Sequence, residues 1–513
     1  MQPSQTTQIE ALLGTSFCQR YHIDTSANYS IEWVRAKDLL VCNRIDLMAK
    51  YKYAQALERG VDCPFFEELY LKHIEAFTRG TYTEVGQEST KNSAEKYIST
   101  FKAILADVKE RGLCADVSVV PVGRDNAIMD GAHRVAAAAC YDLEVPIVRL
   151  DWLEPHNDAQ FFRERMLDEV WLDYIVSQYC KEKDSVYVAC MWPKANTKKL
   201  QEQAEALMCA TCRIVYKRAL PFDFHALRNF MIQVYSSFNW LGGLKDHFSG
   251  ASGYAELVYD KSETLNVYVL EGAELDQILA LKKQIRELYD LGNTSIHISD
   301  TVEEARSMVD MLLNANSRHC LRYAQPDKFI PFNEKIARYK QVLKDGGLWA
   351  EEHVLDSGSI MALYGLRDAT DIDYIGLSGQ EVLGKLDPLF QNHADSLPYY
   401  QKTAAELIFD PRNHLYYYGV KFIALPVFAD MKRLRDQQLQ QKGKRNPKDA
   451  EDLALLEQVG TDQKKTPGLR TLYFRLRRGT RNLKYKLQMK VLHDEKWSLV
   501  RKVYHLVRRG RWY

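Results

Sequence analysis

No stretch of about 18 consecutive apolar residues occurs in the chain, so no membrane-crossing helix is expected. The segment Met1 to Ile9 is polar and lacks a basic start followed by an apolar core, which argues against a secretory signal and for a cytoplasmic chain. The ten cysteines show no framework spacing. Their one close pair, Cys209-Ala-Thr-Cys212, is followed by neither a second pair nor histidines at zinc spacing, so a structural zinc site is not expected. Repeats and low-complexity tracts are also missing. Net charge is nearly absent, at +1, but the balance conceals a split. Lys464 to Tyr513 contains 16 Lys+Arg against 2 Asp+Glu, a net +14, which leaves −13 on the preceding 463 residues. An acidic body with a basic tail implies an anionic partner for the tail, a membrane surface or nucleic acid.

What is present is ordinary globular material, 46% hydrophobic and 27% charged over 513 residues. That length exceeds a single core and predicts about three domains. Apolar residues recur at helical spacing over Leu39 to Leu57, Phe65 to Phe77 and Ser93 to Gly112. Val117 to Val122, Ala127 to Met129 and Val145 to Leu150 read as strands. Further strands are predicted at Val186 to Cys190, Cys212 to Tyr216, Ala255 to Tyr259, Asn266 to Leu270 and Ser295 to Ser299, with a helix at Leu275 to Leu288. Asp300-Thr-Val-Glu303 resembles a capping box. His414 to Leu425 reads as an extended segment broken at Gly419, and Gln437 to Pro447 as a polar linker. The fold class is a multidomain mixture of α/β and α+β.

The sharpest chemical signal runs from Asp356-Ser357-Gly358-Ser359 to Asp371-Ile372-Asp373. A small-residue turn at Gly358-Ser359 lets backbone approach a phosphate, and a helix over Ile360 to Leu366 would aim its amides at the anion. Asp371 and Asp373, one residue apart on a strand, project from one face and can hold Mg²⁺ with substrate phosphates completing the shell. This pattern resembles the polymerase-β-like nucleotidyltransferases. Tyr364-Gly365-Leu366-Arg367-Asp368 also resembles, more weakly, the LicD/fukutin phosphotransferases, although the Pro-Trp-Asp-Asp run usual there is missing. The resemblance implies Arg367 as a donor-binding residue and a third carboxylate from a later strand, for which Asp410 is the candidate. It also draws attention to Lys421 and Lys448-Asp-Ala-Glu-Asp452, where related proteins carry a Lys-Asp-x-x-Asp helix.

A second constellation is Asn126-Ala-Ile-Met-Asp130-Gly131-Ala-His133-Arg134, leading into an alanine-rich helix. A helix N-terminus favours an anion, Arg134 can clamp phosphate oxygens, His133 can hydrogen-bond phosphate or move a proton, and Asp130 can bind metal or orient a hydroxyl. The segment, with Gly131 at its turn, resembles the nucleotide-binding motif of the ParB/sulfiredoxin superfamily, whose members include small-molecule kinases. The resemblance covers roughly the first 150 residues and implies an upstream acidic base. Glu84, Glu88 and Lys91 lie in a suitable polar stretch.

These readings give four regions: a ParB/sulfiredoxin-like kinase-type domain over 1–180, a middle mixed-sheet region over 181–316, a polymerase-β-like nucleotidyltransferase domain over 317–460, and a basic amphipathic helical tail over 461–513. In the tail, Leu469, Leu472, Tyr473 and Leu476 follow helical spacing among basic residues, as an interfacial membrane segment does. Ser295 to Asp373 resembles parts of proteins found with bacterial surface-polysaccharide enzymes. The expected function is a bifunctional phosphoryl-transfer enzyme of capsule or lipopolysaccharide assembly. It would use Mg²⁺ and ATP or another nucleotide donor, act on a sugar or lipid-linked glycan, and sit peripherally at the inner membrane face. The alternative is a ParB-like nucleic-acid-binding regulator with a degenerate transferase domain. No helix-turn-helix reader is evident and the body is acidic, which weighs against it. Asn239-Trp-Leu-Gly-Gly243 and His297-Ile-Ser-Asp300 are weaker signals, read as a loop and as a capped helix start.

Overall fold

The computed structural model describes residues 9–83, 91–378, 382–444 and 446–459. It is a mixed α/β protein, with three small sheets among the described residues. The basic tail, Glu84 and Glu88 lie outside the described residues. The described chain divides into two compact units, one of residues 9–55 and 67–172, the other of residues 56–66 and 173–459. Among the described residues no helix is long and apolar enough to cross a membrane, and no disulfide joins any of the ten cysteines.

In the first unit, β1 (Ile31–Arg35), β2 (Val120–Val122) and β3 (Glu144–Arg149) form a sheet in the order β1-β3-β2. The helix Ala94–Arg111 starts where the Ser93 hydroxyl accepts from the Lys96 amide at 3.3 Å and stops at Gly112, whose φ is +68°. Its buried face is Tyr97, Phe101, Leu105 and Val108. It packs on the helix Ala132–Cys140, whose small residues Ala136 to Ala139 are buried. Two strand expectations need correcting. The first strand of this region covers only Val120–Val122, and Ala127 to Met129 makes one isolated bridge, Ile128 to Val122. Asp125 and Asn126 between them adopt left-handed φ values of 58° and 59°, which turn the chain before a ladder can extend.

In the second unit, β4 (Val186–Met191), β5 (Arg213–Pro221), β6 (Thr264–Glu271) and β7 (Ile296–Ile298) form an antiparallel sheet in the order β5-β6-β4-β7. Ile278, Leu281 and Ile285 of the helix Leu275–Tyr289, with Ala204 and Met208 of the helix Lys198–Thr211, build its core. Ala255 to Tyr259 is not a strand: Ser249–Val258 is helical, and Ala251, Ala255 and Val258 are buried at helical spacing. A five-residue apolar window cannot separate the two periods. The Asp300 cap also shifts by one residue. Thr301 is the N-cap, accepting from the Glu304 amide at 3.1 Å, while the Glu304 carboxylate receives the Asp300 amide at 2.7 Å.

The same unit carries a five-stranded sheet from β8 (His353–Asp356), β9 (Ile372–Gly376), β10 (Phe390–Asn392), β11 (His414–Tyr417) and β12 (Val420–Ile423), ordered β10-β9-β8-β12-β11. Strand β8 is central and buried along its length. The break at Gly419 is a hairpin turn, with Tyr418 and Gly419 both at positive φ (49° and 72°), as a two-residue type I′ turn requires. The expected linker begins later than predicted, because Leu425–Gln441 is one helix; a second, Pro447–Leu456, packs on it. Buried Lys432 joins them, 2.7 Å from Asp449 and 2.8 Å from Asp452.

Removing that ammonium strands two buried carboxylates. Lys432→Met is expected to cost about 3–5 kcal/mol. A lowered urea midpoint for the transition of the second unit checks it, and an unchanged midpoint refutes it.

Candidate functional site

The β8–β9 ladder assembles the C-terminal constellation. Asp356 ends β8 and is in register with Asp373 of β9, while Gln391 of β10 is in register with Asp373 on the other side. Ile372 and Tyr374 point into the core, fully buried, so Asp371 and Asp373 share the opposite face and are half-buried. Beyond Asp356, Ser357 takes φ 53° and ψ −118°, a strained conformation for a residue with a Cβ. The helix that follows is Gly358–Leu363. It begins earlier and is shorter than the expected Ile360 to Leu366. Ser359 is fully buried, and its hydroxyl has no hydrogen-bond partner among the described residues.

The aspartates differ in what already occupies them. Asp356 is fully buried and takes hydrogen bonds from Tyr400 and, at 2.8 Å, from His393 Nδ1. Burial works against a charge on His393, but Asp356, with Asp373 and Asp395, raises its pKa above the ordinary histidine value. Burial also pushes the Asp373 carboxyl up, and the nearby Asp371 and Asp356 push it further, against His393. Arg367 is held in a two-point pair with Asp452, at 2.6 and 3.0 Å. Asp410 follows the helix Ala404–Phe409 and is clamped by Arg412 at 2.8–3.0 Å. Among the described residues no three His, Cys, Asp or Glu side chains are grouped to hold a metal ion, so Asp410 does not join Asp371 and Asp373. Asp371 and Asp373 make no ion pair among the described residues; Asp371 accepts a hydrogen bond from the Thr370 hydroxyl at 3.0 Å, and Asp373 one from the Ser357 side chain. Of the flanking residues noted in the sequence, Lys421 is spent inside the fold, donating to the Glu351 and Ile408 carbonyls at 2.8 and 3.0 Å.

The second constellation lies wholly in the first unit and lines a cavity of about 270 Å³. Asp130, Gly131, His133, Arg134 and Lys91 all contribute to its wall, as the sequence grouping implied. Gly131 has φ +83°, and a Cβ there would come within 3.0 Å of Arg134 Nη2, so the turn requires glycine. The Gly131 amide donates to the Asp130 carboxylate at 2.7 Å. His133 bonds the Tyr70 hydroxyl at 2.9 Å. Burial, with Lys50 and Lys91, drives its pKa well below the ordinary value. It is therefore a neutral hydrogen-bonding group rather than a charged one. Arg134 makes no ion pair among the described residues, and burial lowers its pKa against the pull of Asp130.

Three residues of this wall were not singled out from the sequence. Arg44, Asp46 and Lys50 are nearly inaccessible yet line the cavity. Asp46 takes two bonds from Arg44, at 2.9 and 3.0 Å, and one from Lys50 at 2.8 Å. Lys50 also reaches His73 Nε2 at 2.8 Å. The available signal was charge at Asp46 and Lys50 within the helix Asp46–Glu58, most of whose other residues are buried. The wall thus holds four cationic side chains (Arg44, Lys50, Lys91 and Arg134) against two carboxylates, Asp46 and Asp130.

Comparison with protein-family models, curated proteins and solved structures finds no match to the chain.

Burial opposes ionisation of Asp46, but Arg44 and Lys50 outweigh it and hold the carboxyl far below the usual range. A depressed folded pKa stabilises the protein above the unfolded value, about 3.9, and that contribution is lost as pH falls below it. Asp46→Asn is expected to lower stability at neutral pH and to flatten the decline in unfolding free energy between about pH 5 and pH 2. Urea titrations across that range measure the slope. An unchanged slope would remove Asp46 from the acid response.

Proposed function

We propose that the protein is a phosphoryl-group transferase whose C-terminal centre works with Mg²⁺ at Asp371 and Asp373. One observation carries this reading. The β8–β9 register sets Asp373, with Asp371 just before the strand, beside the strained Ser357-Gly358 turn; both are half-buried and neither makes an ion pair among the described residues, while the neighbouring Asp356 is already committed to His393 and Tyr400. The residues fit a magnesium ion held by two carboxylates, with water and substrate phosphates supplying the rest of the shell. Burial raises the Asp373 pKa most, and the part added by Asp371 and Asp356 is what a divalent cation relieves. When bound, the ion would neutralise charge on the transferring group. The protein's own part is positioning: Asp356, in register with Asp373 across the β8–β9 ladder, is held in place by His393 and Tyr400.

The cationic cavity of the first unit supports a second phosphate site, with Arg134 as the clamp and Lys50 and Lys91 adding positive charge. A nucleotide such as ATP is the ligand proposed there, which makes the enzyme bifunctional. The polymerase-β-like and ParB/sulfiredoxin-like resemblances, and through them surface-glycan assembly, remain the reading of the sequence motifs. The charge split between body and tail supports docking on an anionic membrane surface.

The test is a donor screen with ATP, CTP and CDP-linked donors plus Mg²⁺ and candidate sugar acceptors, followed by mass spectrometry. Asp371→Asn with Asp373→Asn is expected to reduce Mg²⁺-dependent transfer by at least about a hundredfold with the urea midpoint preserved. Full activity in that variant overturns the C-terminal assignment. Arg134→Met is expected to weaken ATP binding by about tenfold and to leave the C-terminal reaction with a preformed substrate intact.

A further inference from the structure

A second cavity, of about 660 Å³, opens in the second unit among elements that neither proposed phosphate centre uses. It lies beside β7, between the helix Leu275–Tyr289 and the segment around Phe238 to Tyr254. Its size is that of a site for a small organic ligand.

One wall is aromatic. Tyr235, Trp240 and Tyr254 pack edge to face or tilted, with centroids 5.3–6.0 Å apart. Trp240 is nevertheless 46% exposed and Phe238 52% exposed. These faces are not consumed by the core, and flat rings gain from stacking on such faces. The wall is also held rigid. His297 sits between the Tyr235 hydroxyl, 3.0 Å from Nδ1, and Glu304, 3.0 Å from Nε2. The Tyr254 hydroxyl donates to the Asn293 carbonyl at 2.8 Å.

The lining also carries charge. Lys282 and Arg286, four residues apart on one helix, both face the cavity. Lys282 is spent on Asp300 at 2.9 Å and on the Ile298 carbonyl at 2.8 Å. Glu304 is spent on His297 and on the Asp300 amide. Arg286 makes no ion pair among the described residues, and its buried Nε has no hydrogen-bond partner there. A guanidinium beside an aromatic wall, with the neighbouring carboxylates already engaged, selects an anion attached to a ring.

We infer that this cavity binds a phosphate ester of a flat-faced ring compound, a nucleoside phosphate or a sugar phosphate. Its ring lies against Trp240 and Tyr254 and its phosphate on Arg286. The inference does not depend on either phosphate centre described above.

Calorimetric titration of the full chain with AMP, UMP and glucose 1-phosphate, and with uridine and glucose as phosphate-free counterparts, tests it. At least one ester is expected to saturate with a Kd below about 1 mM. That affinity is expected to fall at least about tenfold in Arg286→Met and in Trp240→Ala, and to persist in Arg134→Met and in Asp373→Asn. Both cavity substitutions are at partly exposed side chains, and an unchanged urea midpoint verifies folding. Binding of the nucleotides alone assigns a nucleoside phosphate; binding of glucose 1-phosphate alone assigns a sugar phosphate. Saturation by none of the esters up to about 10 mM overturns the inference. So does an isotherm that Arg286→Met leaves unchanged, or one lost in Arg134→Met or Asp373→Asn instead.

Discussion

A charge taken out of water must meet an opposite charge, and in the second unit this requirement fixes the scaffold on which the candidate site is built. Lys432 is buried between Asp449 and Asp452; Arg435 closes on Asp449 at 2.7 Å and Arg367 on Asp452 at 2.6 Å. The chain of pairs runs from the helix Leu425–Gln441 through Pro447–Leu456 to Arg367, four residues before Asp371. No member can move alone without exposing a buried partner, which makes the loop leading into β9 part of a cooperative unit. The position of Asp371 is thus set partly by residues about eighty positions further along the chain.

The same rule sorts the acidic residues into those that hold the fold and those free to act on something else. Asp356, Asp410, Asp449 and Asp452 are each buried and each met by a protein donor. Asp371 and Asp373 are half-buried and make no direct ion pair among the described residues, although His393 and Arg367 are near enough to act on them electrostatically. Keeping two carboxylates this close in a half-buried position is destabilising: burial first, and then Asp371 and Asp356, raise the Asp373 pKa against the pull of His393. Such a cost is accepted where a ligand repays it. In the first unit the imbalance has the opposite sign: Arg44 and Lys50 neutralise Asp46, while Arg134 is left without an ion pair among the described residues. One unit presents unmatched anions and the other an unmatched cation, as expected if one is to hold a metal ion and the other a phosphate.

How far the sequence foretold this depends on the range of the interaction. The strand-turn-helix-strand order from Asp356 to Asp373 and the grouping of Asp130 with His133 and Arg134 are local, because turn chemistry and alternation act within a few residues. Helix limits at Ser93 and Gly112 were legible for the same reason. The commitment of Arg367 to Asp452 and the clamp of Arg412 on Asp410 were not, because nothing near Arg367 or Asp410 in sequence announces whether a charge is already spent. Ala255 to Tyr259 failed differently: its apolar run is compatible with either period, and burial at Ala251 decides for helix.

The weak motifs follow the same logic. His297 and Asp300 at a strand end are explained locally, since Thr301 caps the next helix and Asp300 pairs with Lys282. That account leaves out Arg286, which neither residue reaches, and the Trp240 face, which no core covers. A capped helix end needs neither a guanidinium without an ion pair nor an exposed indole in the same cavity. Their presence in the lining of one cavity is what the local explanation cannot supply, and a ring-bearing anion satisfies both groups together.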